Sequence, residues 1–565
     1  MRNKHTHRLA ILTLIVLPNL SVYAAPAIIQ PDAGQTLREL QKDPGVLVPK
    51  ASPSLRIEGN GAAKGTDSNE VRIGVTAIHV TGNSVFTASE LEALTSNLVG
   101  GEFSLAQLNA GATRITAYYR EHGYVVARAY LPAQDIKDGV VVINVLEGIA
   151  GQKYIDNKSL LSNQRANAYL NGVRSGDVLQ AKQADRALLL LNDTPGVGDA
   201  RATLQPGASV GFSDLLIELT PAARFAGDVE VDNYGNSSTG QNRLGAALVF
   251  NSPLSIGDQL SVRVLATNQS MNYGRLAYQL PLGGSGLRVG VAYSDTSYRI
   301  GTGLAAPLLK HGTATDSSIY AVYPFIRSQD SNFSGTLTWE DKKLKDLSDA
   351  AANIAAELYS NKEVKLANLD LSGNHQDALV GGGVTYFDAS LVSGTLTMDA
   401  ATVPNFGALS KGSFIKLAYS LTRLQRVTDS NLFSAALSAQ QTNKNLNSSE
   451  QFSLGGAYGV RAYPQGEGTG DQGWMTNLEL RHSFKDNLQG VLFYDAGTVT
   501  IVHTPIAAGI NKRFLSGAGL GVNAGIMGVQ LKAYAAWRTS GGLPTSIPAY
   551  DAKTPILWVE ATKAF

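Results

Sequence analysis

The sequence predicts a mostly β protein: a 16-stranded antiparallel transmembrane β-barrel behind two small α+β domains. Three observations predict it. The chain opens on a secretory leader, a β-α-α-β-β pattern occurs twice before residue 221, and the last 345 residues alternate apolar with small or polar side chains. Composition agrees. Charged residues make up 16% of the 565, against about 25% in soluble domains. The near-balance of 47 basic and 46 acidic residues argues against a protein that tracks nucleic-acid phosphates. With no cysteine, disulfide scaffolding, thiolate catalysis and cysteine-bound zinc are excluded. The same absence suits a chain that crosses the periplasm unfolded.

The leader comprises residues 1–24. Arg2, Lys4 and Arg8 precede an apolar run over 9–17, and Val22-Tyr23-Ala24 offers a small-residue cleavage site. Its removal leaves 44 basic against 46 acidic residues. No later apolar run approaches the roughly 18–20 residues of a membrane helix. Residues 25–42 hold a short helix over 35–41, built from good helix formers. Residues 43–70 carry Pro44, Pro49, Pro53, Gly59, Gly61 and Gly65 among polar residues and read as a flexible linker.

The first α+β module spans 71–147. Its pattern is a strand over 75–80, helices over 88–98 and 105–121, and strands over 124–131 and 140–146. Leu105, Leu108, Ala112, Ile115 and Tyr119 fall on one helix face. The second, 148–220, has a strand near 153–155, helices near 163–170 and 181–191, and strands over 200–204 and 215–219. Gly101-Glu102-Phe103 aligns with Gly176-Asp177-Val178, and Ala127-Arg128-Ala129 with Ala200-Arg201-Ala202, at offsets of 75 and 73 residues. Two anchors at nearly one period point to tandem copies.

From 221 to 565 the period changes to two. Leu244, Leu248, Leu260, Val262, Val264, Leu276, Tyr278, Val291 and Tyr293 lie opposite Arg243, Ser261, Arg263, Arg275 and Ser294. Downstream, Ile415, Leu417, Tyr419 and Leu421 alternate with Lys416 and Ser420. In lipid every backbone polar group must be paired, and a closed barrel pairs them all. Sixteen strands allow roughly 22 residues each with its connection, enough for a spanning strand of about 10 residues. The arithmetic alone also accepts 14 or 18. The terminal Phe565 on an alternating strand reads as a barrel-assembly signal, although Lys563 stands where an apolar residue is expected.

One connection stands out. Residues 454–474 contain Val460-Arg461-Ala462-Tyr463 among seven glycines. Phe493-Tyr494-Asp495 follows in a strand, where Phe493 and Asp495 share the lumen face and Leu492 and Tyr494 the lipid face. Glu479, between lipid-facing Leu478 and Leu480, also points inward. Glu467 and Asp471 read as solvated carboxylates of a flexible loop, the alternative being a carboxylate pair or a cation site.

This order of leader, helix, linker, tandem modules and barrel resembles the two-partner secretion transporters, the haemolysin and haemagglutinin secretion/activation family. Val460-Arg461-Ala462-Tyr463 resembles that family's Val-Arg-Gly-Tyr/Phe loop motif, with Ala462 in place of the usual glycine. Phe493-Tyr494-Asp495 resembles its Phe-x-Asp strand motif, and the modules resemble POTRA domains. The resemblance covers nearly the whole mature chain. It implies that the loop folds back into the barrel and that Arg461 meets Asp495, with Glu479 as second choice. The alternative is that Arg461 is one solvated pore charge. It also implies that the 35–41 helix plugs the pore, although a tail without that role fits the residues equally.

The resemblance further implies a pore in the outer membrane, with the POTRA domains in the periplasm. The pore would export one secreted partner protein that the POTRA domains recognise by strand addition, with export alone and export with activation of the partner both open. For that docking the second module offers Leu215, Ile217 and Leu219, whose alternative reading is a core-facing stripe. The expected partners are that exoprotein, outer-membrane lipid and the barrel-assembly machinery during biogenesis. No nucleic acid, metal or other cofactor is expected, and the chain is expected to act as a monomer. No enzyme motif stands in its required context: Gly207-Ala208-Ser209-Val210-Gly211 lies between strands and no helix follows 468–473. The rival readings are a barrel-assembly insertase, which usually carries more POTRA copies, a passive porin, which would lack them, and an outer-membrane lipase, which would need a Ser/His pair on the wall.

Overall fold

The computed structural model of the chain describes residues 31–40, 55–57, 72–302, 306–349, 359–399, 409–505 and 509–565. The expected leader lies outside them, as does most of the segment read as a linker.

In the first module the helix Leu105–Glu121 begins where Ser104 and Gln107 cap each other reciprocally, each side chain accepting from the other's backbone N–H. It buries Leu108, Ala112, Ile115 and Tyr119. Leu105, placed on the same face from spacing, is instead exposed. The helix packs on a three-stranded sheet ordered Ala77–Thr81, Val140–Leu146, Arg128–Tyr130, whose first pair is parallel. The strand expected over 75–80 is broken at Thr76. Val75 instead ends a separate strand, Arg72–Val75, which pairs with an unforeseen strand, Gly101–Ser104.

The second module's sheet runs Leu55–Ile57, Val197–Pro206, Phe212–Pro221, Ile149–Asn157. Leu215, Ile217 and Leu219 thus sit on an interior strand, and their side chains are at most 2% exposed in the core beneath the helix Ala181–Asn192. They are therefore not a docking stripe: a side chain committed to the core has no surface left for a client. Leu55–Ile57 is a second departure. It lies in the segment read as flexible, yet it pairs with Val197–Pro206 in parallel.

Sixteen antiparallel strands, from Phe225–Asp232 to Ile556–Ala564, pair in chain order and close when the first meets the last. Outward side chains such as Leu244, Val264, Leu276, Tyr293, Leu337, Trp339 and Leu492 are exposed, as lipid contact requires. The closing seam is short, with five register pairs. Phe565 extends it by exchanging two backbone hydrogen bonds with Gly227, at 2.9 and 3.1 Å. No described helix is long and apolar enough to cross a membrane.

The second module is fixed to the turns on its side of the barrel. Arg327 holds Asp193 through two hydrogen bonds of 2.6 and 2.9 Å, and Arg288 donates to the Asp193 carbonyl at 2.8 Å. Arg186 donates to the carbonyl of Pro324 at 2.7 Å.

Inside the barrel lies the helix Ala33–Leu40, starting two residues before the position read from the sequence. Asp32 caps it by accepting from the Gln35 N–H at 2.9 Å. Ala33, Leu37 and Leu40 pack among lumen residues including Leu265, Tyr298, Leu344 and Phe414. Polar anchors fix both ends. Asp346 accepts from the Ala33 N–H (2.8 Å), Ser448 donates to Asp32 (2.6 Å), and Arg38 donates to the Gln451 carbonyl (2.6 Å).

Candidate functional site

The connection between the strands Asn431–Thr442 and Gln472–Lys485 turns back into the barrel rather than away from it. Val460, Ala462 and Tyr463 are at most 1% exposed and pack against Phe493, Leu515 and Ala536 of the wall. An apolar loop tip with so many glycines can lie flat on a sheet. Gly517 shows why: a Cβ there would stand 2.3 Å from the Cβ of Ala462. The methyl of Ala462 is accommodated because the wall lacks a Cβ opposite it.

Arg461 is the centre of the arrangement. Its Nε and Nη2 donate to the two oxygens of Asp495 at 2.9 and 2.7 Å, and its backbone N–H adds a third bond at 3.1 Å. Its Nη1 donates to Glu479 at 2.6 Å. The structure therefore joins Arg461 to both acids at once, where the sequence had ranked them as first and second choice. Glu479 also accepts from Arg481 at 2.6 and 2.8 Å, so two guanidinium groups face two carboxylates and the charges balance. That balance matters, because Asp495 is wholly buried and Arg461 only 4% exposed. A buried ion pair is tolerable only when its remaining hydrogen-bonding positions are filled.

They are filled. Asn477, the register partner of Asp495, donates to it at 2.8 Å. The guanidinium lies 3.6 Å above the Phe493 ring, whose edge occupies space left open by Gly519. Trp558, from the last strand, donates its indole N–H to the Arg461 carbonyl at 2.7 Å. Tyr463 donates to the carbonyls of Ser540 and Gly542 at 2.8 and 2.9 Å.

Glu467 and Asp471 are not solvated, as the loop's composition suggested; they are 1% and 0% exposed. Glu467 accepts from the N–H groups of Thr545 and Ser546 at 2.9 and 2.8 Å and pairs with Arg513 at 2.6 Å. Asp471 accepts from the N–H groups of Leu446 and His503 and from Gln451, at 3.1, 2.8 and 2.9 Å. Both carboxylates are used to anchor the loop. Trp558, Asn477 and Arg513 were not singled out from sequence, because single polar or aromatic residues facing the lumen look alike there. Phe565 sits at the periplasmic end of the closing seam, with an exposed ring. Among the described residues no three His, Cys, Asp or Glu gather as a metal site.

What this geometry can do is mechanical. A directional fork on two carboxylates fixes a long loop across the lumen. Residues 211–524, more than half of the chain, match the family described as haemolysin secretion/activation protein ShlB/FhaC/HecB. The chain belongs to that family. Residues 73–148 match the ShlB-type POTRA domain. The heme/hemopexin transporter protein HuxB of Haemophilus influenzae (strain 86-028NP) is 30% identical over 483 residues, which cover 83% of each chain. The outer membrane transporter CdiB of Dickeya dadantii is 26% identical and shares 69% of this chain and 68% of its own. In fold, the solved structure of CdiB from Escherichia coli superimposes with a TM-score of 0.71 at 21% identity, over 94% of this chain and 96% of that one. The family is one of two-partner secretion transporters, and this member is an outer-membrane protein with its POTRA region on the periplasmic side.

Proposed function

We propose that the barrel exports one specific partner polypeptide and that the Arg461 clamp holds the loop at 443–471 in the position export requires. The carrying observation is the pairing of Arg461 with both Asp495 and Glu479 inside a closed barrel. In this reading the POTRA modules receive the partner as an extended chain, since backbone pairing tolerates many sequences. The helix Ala33–Leu40 plugs the resting pore, and Phe565 is read by the barrel-assembly machinery. The chain acts as a monomer in the lipid of the outer membrane. The periplasm supplies no nucleotide, so folding of the partner outside makes the passage one-way.

The test compares secreted proteins from cells lacking this chain, cells with it, and cells carrying Arg461→Ala. Loss of one large secreted protein without the chain, restored by the wild type and not by Arg461→Ala, supports the proposal. Broad loss of outer-membrane barrels would point to an insertase instead. Full secretion by Arg461→Ala would remove the clamp from the mechanism.

A further inference from the structure

A second buried charge cluster lies in the lumen, apart from the Arg461 clamp. The turn Ser448–Glu450 follows soon after the strand Asn431–Thr442 and is capped by Asn447, whose side chain accepts from the Ser449 N–H at 3.0 Å. It aims Glu450 at the wall. One oxygen of this buried carboxylate accepts from Lys342 at 2.8 Å, and the other from Lys416 at 2.7 Å. Lys342 also pairs with Glu340 at 2.9 Å, so two ammonium groups meet two carboxylates and the charges balance. Buried charges are tolerated on those terms. The Glu450 carbonyl accepts from the Gln440 amide at 2.9 Å, and the same amide donates to the Asp471 carbonyl at 3.0 Å. The outgoing and returning stems of the loop are thereby tied together.

The two clusters grip different parts of the ring. Lys342 and Lys416 stand on the seventh and tenth of the sixteen strands, Glu479 and Asp495 on the twelfth and thirteenth. Arg461 follows Glu450 by 11 residues, so the loop is held separately at its root and at its tip. The chemistry of the two ends differs. A guanidinium fork on carboxylates is planar and directional, and it fixes orientation. An ammonium is a compact charge with three donors on a flexible four-carbon stem. A carboxylate shared by two of them keeps both partners while the turn that carries it rotates. The tip is built as a lock and the root as a pivot.

We propose that Glu450 is a second positioning residue of the export pore. It pins the root of the 443–471 loop to Lys342 and Lys416, so that when the Arg461 fork lets go the tip turns about a root that stays in place. The inference rests on the export reading. It goes beyond it in naming a second fixed point and the three residues that make it.

The chain has no cysteine, so single reporter thiols carry no background. Ser449→Cys reports the root and Val460→Cys the tip, both buried in the wild type. Purified full-length chain is treated with a maleimide–polyethylene glycol, and the rate of modification is read as a gel shift. In Arg461→Ala the tip reporter is expected to react about a hundred-fold faster, and the root reporter at its wild-type rate. In Glu450→Gln the root reporter is expected to react about a hundred-fold faster and the tip reporter at its wild-type rate. Adding Lys416→Met to Glu450→Gln should restore at least about ten-fold of the root protection, because Lys342 keeps Glu340 and no ammonium is stranded. A role in packing alone would make that double variant worse than the single. Cells carrying Glu450→Gln are expected to export about ten-fold less with the wild-type amount of barrel in the outer membrane.

Equal acceleration of both reporters in Arg461→Ala overturns the separate root, and this arm decides even where Glu450→Gln does not assemble. An unchanged root reporter in Glu450→Gln overturns the pinning, as does a double variant less protected than the single. Undiminished export with an accelerated root reporter overturns the positioning role. Absence of any exported protein even in wild-type cells would instead overturn the export reading.

Discussion

Replacing Arg461 by alanine removes two side-chain hydrogen bonds to Asp495, one to Glu479, and the stacking on Phe493. Asp495 remains wholly buried with Asn477 and the backbone N–H of residue 461 as its partners. Removing one member of a buried pair costs about 3–5 kcal/mol, because the other charge stays desolvated. At about 1.4 kcal/mol per decade, the ratio of docked to undocked loop falls by two to three and a half orders of magnitude. The loop keeps its anchors at Tyr463, Glu467 and Trp558, so undocking is local and the barrel stays folded. Arg461→Lys retains the charge but not the fork, and should fall between the wild type and Arg461→Ala. Arg461→Ala combined with Asp495→Asn should be milder than Arg461→Ala alone, since no carboxylate is then stranded. Protease cleavage within 443–471 of the purified chain, followed by mass spectrometry, reads docking, and planar-bilayer recordings read the channel. Wild-type protection and conductance in Arg461→Ala would refute the reasoning, as would a double variant worse than the single.

Three further outcomes follow from other parts of the molecule. In the first module, burial alone would raise the Glu147 carboxyl pKa. Hydrogen bonds from the Ser84 hydroxyl, the Val85 and Ser84 N–H groups and Tyr119 outweigh it and hold the value below the ordinary carboxylate range. Its stabilisation is therefore present above the unfolded pKa near about 4.3 and lost as pH falls through the lower folded value. Hydrogen exchange over 72–147 should accelerate in that acid window, and Glu147→Gln should exchange faster at neutral pH and lose that dependence; a pH-independent wild type would contradict this. Gly517→Leu should displace the loop, because even a Cβ meets Ala462 at 2.3 Å, while Ala462→Gly should be tolerated; proteolysis of 443–471 distinguishes the two. Arg327→Ala should loosen the second module from the barrel by removing the paired contact to Asp193, seen as faster exchange over 181–206, with no change in loop protection.

Much of this architecture was legible because lipid imposes a simple rule. Leu244, Leu248, Leu478, Leu480, Leu492 and Tyr494 were placed outward by alternation alone, and all are exposed on the barrel. Asp495 and Glu479 were placed inward by the same rule. The helix Leu105–Glu121 was readable from its apolar spacing. What alternation cannot give is the partner of an inward residue: Trp558 meets the loop because the last strand packs beside it, and Asn477 through its register with Asp495 on the neighbouring strand. Glu467 and Asp471 looked solvated because a Gly-rich stretch with two acids is ordinarily a surface loop. They are buried because Thr545, Ser546, Leu446 and His503, far apart in sequence, bring their N–H groups to them. Leu55–Ile57 and Gly101–Ser104 were missed because strands of three and four residues show too little alternation to rise above their surroundings.

The central claim is that a polypeptide passes through the lumen of this barrel. A photoreactive amino acid at Tyr273, buried on the lumen face, or at Leu337, 58% exposed on the lipid face, tests it in secreting cells. The account predicts adducts between the chain and one secreted protein from position 273 and none from 337. Equal labelling from both positions, or adducts from 337 alone, would contradict it.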